Sequence, residues 1–108
     1  MKTLLTIVSL FLSTFCLSQV KVIQFNANWN NANSVTWLNK LTDCKTSQID
    51  IATDKTAQSK YKIVVVPTII VFNQGEEVKR YQANIMMQIE AKLEDIQHIE
   101  DETVMESF

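Results

Sequence analysis

Alternation of apolar and polar positions predicts four strands in the part of the chain that follows residue 18. Residues 19–25 alternate and then become apolar, which indicates a first strand, and residues 48–51 indicate a short second one. Residues 68–72 lie in the most apolar run that remains, and residues 78–81 follow them as an antiparallel partner. The turn between these last two strands contains Gly75, the single glycine of the chain, which can adopt positive φ there.

The segments between and after these strands have apolar residues at helical spacing. Asn33, Asp54 and Asn84 stand where helices are expected to begin, and asparagine and aspartate are favoured as N-caps. The first and last of these helices show apolar positions at spacings of three and four, namely Val35, Leu38 and Leu41, then Met86, Ile89, Leu93 and Ile96. The resulting order predicts an α/β fold with one mixed central sheet, helices on both faces, and Pro67 just before a central strand.

The first 18 residues have the organisation of a secretory signal peptide. Met1 and Lys2 precede an apolar run over residues 4–17, and small residues precede the expected cleavage between Ser18 and Gln19. The run is shorter than the roughly 20 residues of a membrane span. A lipid anchor on Cys16 and an uncleaved anchor are the alternatives. The expected organisation is a signal peptide (1–18), a domain (19–98), an acidic helix end or tail (99–108), and export to the periplasm or the extracellular space without an integral membrane span.

Composition places the mature chain among ordinary small globular domains. The sequence has 108 residues, 46% of them hydrophobic, with a formal net charge of -2. This length accommodates one core, and no basic excess indicates a nucleic-acid partner. His98 is the single histidine, so neither a metal site nor a cofactor is expected. Acidic residues dominate after residue 90, either as a solvated helix face or as a surface for assembly with a basic partner.

Three segments together resemble the thioredoxin family. Residues 22–29 read VIQFNANW, residues 49–54 read IDIATD, and residues 61–76 read YKIVVVPTIIVFNQGE. They are similar to the family's first core strand with its tryptophan, to its next strand and helix start, and to its proline strand with a glycine hairpin. The resemblance implies a thioredoxin-like fold in which Pro67 follows a cis peptide bond, whereas the sequence alone favours a trans proline at a strand edge.

The residues needed for the family's chemistry are absent from this chain. Where the resemblance places a Cys-x-x-Cys motif, the sequence reads Asn30, Asn31, Ala32 and Asn33. Gln24 stands at the position of a buried carboxylate that assists the resolving thiol. Amides cannot attack a disulfide, so no catalytic residues and no dithiol–disulfide exchange are expected.

A binding groove is the function that we favour from the sequence. The resemblance places the backbone of Val66 beside the former active-site loop, where it can pair with an extended segment of a protein or peptide partner. The expected groove consists of Trp29, Asn30, Asn31, Ala32, Asn33, Val66 and Pro67. A vestigial site with only a scaffold role is the alternative.

Cys44 is the single cysteine that remains after signal cleavage. We expect it near the C-terminal end of the first predicted helix, where the helix dipole and Asp43 raise the pKa of its thiol. One interpretation is a partly buried free thiol. A disulfide-linked dimer and single-cysteine thiol chemistry are the alternatives.

Overall fold

One mixed sheet of four strands forms the centre of the molecule. The computed structural model describes residues 20–106, so the expected signal segment, Cys16 and Gln19 lie outside the described residues. The strand order is β2-β1-β3-β4. Strand β1 pairs parallel with β2 and antiparallel with β3, and β3 pairs antiparallel with β4. The strands are β1 (Val20–Asn26), β2 (Lys45–Asp50), β3 (Thr68–Asn73) and β4 (Glu76–Gln82).

The two central strands bury side chains on both faces of this sheet. Two helices cover those faces, α1 (Lys55–Lys60) and α2 (Leu93–Glu106). On the first face, Tyr61 directly after α1 packs on a cluster that includes Ile23, Phe25, Ile70 and Phe72. On the second face, Ile96 of α2 packs among Val20, Val22, Ile69 and Val71. The predicted α/β class with helices on both faces is thus confirmed.

Local signals for α1 and for the β3–β4 hairpin agree with the structure. The Asp54 side chain caps α1 by accepting a hydrogen bond from Ala57 N at 3.0 Å. In the hairpin turn, Gln74 and Gly75 have φ values of 54° and 84°. Two consecutive positive φ values fit the right-handed twist of the strands that the turn joins.

The prediction of a helix that begins at Asn33 is wrong. The structure has two 3₁₀ helices here, Asn28–Asn33 and Leu38–Lys40, and Ser34 between them is extended. Residues 34–36 read Ser-Val-Thr, a stretch of weak helix formers. The backbone N–H of Val35 donates instead to Gln24 Oε1 at 2.9 Å. Leu38 is nevertheless buried on the second face of the sheet.

The last helix begins later than the sequence predicts. The Asn84 side chain bonds to the loop that follows it rather than capping a helix. Helix α2 starts only at Leu93. At this start, Asp95 Oδ2 accepts a hydrogen bond from Lys92 N at 2.8 Å. Residues 99–106 continue the same helix. Within residues 20–106, neither helix has the length and apolar character needed to cross a membrane.

Candidate functional site

The loop between α1 and β3 exposes two valines between buried anchors. Ile63 is buried and its N–H donates to Gln58 O at 3.0 Å, while Pro67 at the other end is also buried. The Val66–Pro67 peptide bond is cis. Between the anchors, Val64 is 81% exposed and Val65 is 37% exposed. The two exposed valines therefore lie between buried residues at both ends of the loop.

A second exposed apolar segment follows β4. Ala83 N donates to Pro67 O at 3.1 Å, which holds the segment beside the proline loop. Asn84 Oδ1 accepts from the backbone N–H groups of Met86 at 2.9 Å and Gln88 at 3.1 Å. These two hydrogen bonds to Asn84 close a tight loop in which Ile85 is fully exposed and Met87 has a φ of 60°.

The two segments and Trp29 enclose an apolar groove of about 430 Å³. We call it the Trp29 groove. Ala27, Ile51 and Val66 are buried residues that contribute to its lining. The Trp29 side chain, 68% exposed, lies at its edge. The other large apolar side chains along the groove are Val64, Val65, Ile85 and Met87.

The asparagines beside Trp29 bond mainly to one another. Asn26 and Asn30 are both buried, and Asn30 Nδ2 donates to Asn26 Oδ1 at 3.1 Å while Asn26 Nδ2 donates to Asn30 O at 3.1 Å. Asn33 Nδ2 donates to Asn30 Oδ1 at 2.8 Å, and Asn26 Nδ2 also reaches Ser34 Oγ at 2.7 Å. This amide network fixes the first 3₁₀ helix.

The residues that the sequence places in one groove lie in three different parts of the structure. Trp29 and Val66 line the Trp29 groove. Asn31 and Ala32 line a separate depression beside β2. Asn30 and Pro67 are buried, and Asn30 Nδ2 approaches Val66 O at 3.4 Å, so the carbonyl of Val66 faces an amide of the same chain. Asn33 is half-buried within the amide network.

Nine residues that line this groove lie outside the expected set, among them the exposed apolar residues Val64, Val65, Ile85 and Met87. Val64 and Val65 belong to the apolar run over residues 63–72 that predicts β3, and Ile85 and Met87 lie within the last helix that the sequence predicts from Asn84. Asn84 itself was the available signal, because asparagine favours turns as well as helix N-caps. The helical spacing of later apolar positions masked that signal.

Gln24 occupies the core position beneath the amide network. It is 1% exposed, and its Oε1 accepts the N–H of Val35. Its Nε2 lies buried without a hydrogen-bond partner among the described residues. An amide here neither gains nor loses a proton at neutral pH, so this position cannot serve as a general base.

Cys44 lies just before β2 and faces acidic side chains of α2. The thiol is half-buried and has no disulfide partner within residues 20–106. Burial first, and then the charges of Glu100, Asp43 and Asp101, raise its pKa from 9.0 to about 11. A nucleophilic thiol needs the opposite environment, because its reactive form is the thiolate. Among residues 20–106, no group of three or more potential side-chain ligands is placed to hold a metal ion.

Comparison with solved structures identifies the class of fold. A thioredoxin variant from Halobacterium salinarum NRC-1 superposes with a TM-score of 0.59 at 22% identity, over 81% of this chain and 76% of that chain. For thioredoxin-2 of the malaria parasite the TM-score is 0.62 at 18% identity, over 78% and 82%. For a thioredoxin variant from Entamoeba histolytica it is 0.57 at 17% identity, over 88% and 92%.

The chain therefore has a thioredoxin-like fold, as its sequence motifs indicate. No protein-family model and no curated protein sequence matches it.

Proposed function

We propose that this protein is an exported binding module that holds an extended apolar segment of a partner protein in the Trp29 groove. The exposure of Trp29, Val64 and Ile85 around one concavity carries the proposal. Soluble monomers rarely leave large apolar side chains together in water, and such patches mark interaction sites. The apolar lining, open to solvent, suits an extended segment with apolar side chains.

Dithiol–disulfide exchange is not part of this proposal. Asn30 and Asn33 stand at the two sulfur positions of the family motif and are bonded to each other. Cys44, with its raised pKa, lies outside the residues that line the groove. We expect the protein to add nothing to the background rate at which dithiothreitol reduces insulin. Reduction that accelerates in proportion to protein concentration would contradict this part.

A peptide selection tests the groove itself. A library of short random peptides is selected on the purified protein, and the affinity of an enriched peptide is measured by fluorescence polarisation. Trp29→Ala and Ile85→Ser are each expected to weaken binding about tenfold or more, because each removes an anchor from the contact. The groove proposal fails if both variants bind the peptide as tightly as the unmodified protein.

Met105→Ser is the matched control for these variants. Met105 is 75% exposed on α2 and is not part of the groove lining, so this variant also replaces an exposed apolar side chain by a hydroxyl. It is expected to bind the peptide with unchanged affinity. Equal loss of binding in Met105→Ser and Ile85→Ser would mean that the peptide adheres to exposed apolar side chains in general.

A further inference from the structure

A second depression lies on the same face of the sheet as the Trp29 groove. Its volume is about 760 Å³, and the buried residues that line it include Ile23 and Phe72. These two residues belong to the same buried cluster as Ala27 and Ile51, which line the Trp29 groove. One apolar cluster therefore lies beneath both cavities.

The two cavities are close together at one edge and far apart at another. Gln58 of α1 lines the groove, and Tyr61, just past the end of this helix, lines the depression. The helical rise puts these two positions about 5 Å apart along the axis of α1. Along β1, Lys21 lines the depression and Ala27 lines the groove. These two residues are about 20 Å apart, which is the length of roughly six extended residues. A single extended segment can therefore reach both cavities.

Three lysines line the depression, and we call them the lysine triad: Lys21, Lys45 and Lys60. Lys21 pairs with Lys45 in the parallel ladder, so two of the three charges occupy adjacent positions of the sheet. Like charges in adjacent positions repel, and an anionic group between them relieves that repulsion. Among the described residues, no acidic one lines the depression.

The nearby acid does not neutralise the lysine triad. Glu77, opposite Phe72 in the sheet, is bound by Arg80 through contacts of 2.8 Å and 3.1 Å. None of the three lysines forms an ion pair with another residue between 20 and 106. The Lys60 ammonium lies 5.2 Å from the centroid of the Tyr61 ring. A depression with one sign of charge and apolar walls concentrates the electrostatic potential, so the lysine triad attracts anionic groups.

We propose that the partner segment held in the Trp29 groove also carries acidic residues, and that these bind the lysine triad. This inference rests on the proposed function and adds the chemical class of the partner. The segment has apolar side chains for the groove and, within about six residues of them, a run of Asp or Glu. The domain's own acids are concentrated elsewhere, because α2, which packs on the other face of the sheet, carries six of the twelve acidic residues.

Fluorescence polarisation with extended peptides tests this inference. A selected peptide whose binding is weakened by Trp29→Ala is lengthened at either end, through Gly-Ser spacers of about two to six residues, by Asp-Asp-Asp or by Ser-Ser-Ser. We expect the best aspartate extension to tighten binding about tenfold over its serine counterpart at low salt, because each exposed charge pair contributes only modestly. The gain should shrink as salt is added.

Lys→Gln at all three positions of the lysine triad should abolish this gain and leave the affinity for the serine-extended peptide unchanged. The control replaces three exposed lysines outside both cavities, Lys40, Lys55 and Lys92, by glutamine. This variant loses the same charge and is expected to keep most of the gain. Equal loss of the gain in the two triple variants would overturn a site at the triad.

Failure of this inference is distinguishable from failure of the proposed function. If no selected peptide depends on Trp29, the proposed function is overturned and this inference with it. If such peptides bind but aspartate adds no affinity at any spacing, only the acidic partner is overturned. Inorganic phosphate is titrated in parallel. If it shifts the NMR signals of Lys21 and Lys45 while aspartate gives no gain, the depression holds a small anion and the inference is likewise overturned.

Discussion

At the scale of single residues, Glu100 is a side chain whose ionised form is destabilised by the folded structure. The residue has no exposed surface, and its Oε1 has no hydrogen-bond partner among the described residues. Burial first, and then a hydrogen bond with Asp101 and the charges of Asp101 and Asp43, raise the pKa of this carboxyl from 4.5 to about 7, although Gln97 Nε2 donates to it at 2.6 Å. The folded protein therefore holds this proton more tightly than the unfolded chain does.

The pH dependence of stability follows from that difference. The contribution of Glu100 is fully present below pH 4.5 and is lost as the pH rises to about 7. Glu100→Gln, which stays neutral, is expected to be more stable than the unmodified protein at pH 8 and to lack its decline between pH 5 and 7. Urea unfolding at several pH values measures both effects.

Glu94→Gln is the control for this prediction. It removes an exposed acid from the first turn of the same helix, and the pH decline of the unmodified protein should persist in it. Identical pH profiles for Glu100→Gln and the unmodified protein would contradict the assignment.

The thiol of Cys44 is expected to react slowly while the protein is folded. With a pKa of about 11 rather than 9.0, the thiolate fraction at pH 8 is lower by about a hundredfold. Alkylation by iodoacetamide at pH 8, followed by mass spectrometry, should accelerate by about that factor in urea. Glu100→Gln should increase the native rate, since it removes one of the charges that oppose the thiolate. A native rate equal to the unfolded rate would show that Cys44 is accessible and ionises normally.

At the scale of secondary-structure elements, the stability of α1 depends on its N-cap residue, Asp54. The helix has only six residues and is capped through Asp54 Oδ1. Asp54→Ala should lower the free energy of unfolding by about 1 kcal/mol, as is usual for loss of a cap. Asp54→Ser keeps an acceptor at the cap and should lose less. Urea denaturation compares the two, and equal losses would indicate that the charge of Asp54 matters more than its cap.

Elements with a strong local signal could be predicted from the sequence, and elements fixed by distant partners could not. Asp54 caps the helix that follows it, and Gly75 adopts the positive φ of the hairpin turn in which it lies. Because both effects are local, α1 and the hairpin were predicted correctly. The segment after Asn33 has helical spacing, but its conformation depends on Gln24, a buried residue nine positions before Asn33. Asn84 resembles a helix cap in sequence, yet its side chain closes a loop. The amide network around Asn30 joins residues only three to eight positions apart, but a cluster of asparagines in the sequence does not specify which of them bond to one another.

At the scale of the whole molecule, the sheet lies between two apolar clusters, and we expect them to unfold as one cooperative unit. Neighbouring residues of β3 face opposite clusters, Ile70 on the first face and Ile69 on the second. Ile70→Ala and Ile96→Ala remove buried side chains from opposite faces, and each should lower the free energy of unfolding by about 3 kcal/mol.

Both variants should still unfold in a single transition. Circular dichroism and tryptophan fluorescence are the two probes, because Trp37 packs on the second cluster while Trp29 is exposed. Transitions that separate for Ile96→Ala would indicate that α2 and the second cluster unfold independently of the sheet.

The exposed loop after β4 also determines how the protein responds to oxidants. Met86 and Met87 are 69% and 42% exposed, so peroxide can reach their thioether sulfurs. Conversion to the sulfoxide makes each side chain polar and chiral. In an oxidised preparation, the loop beside the Trp29 groove would then be altered while the strands and helices stay intact. The methionine oxidation state, read from the intact mass, is therefore a property to record beside every affinity measured on this domain.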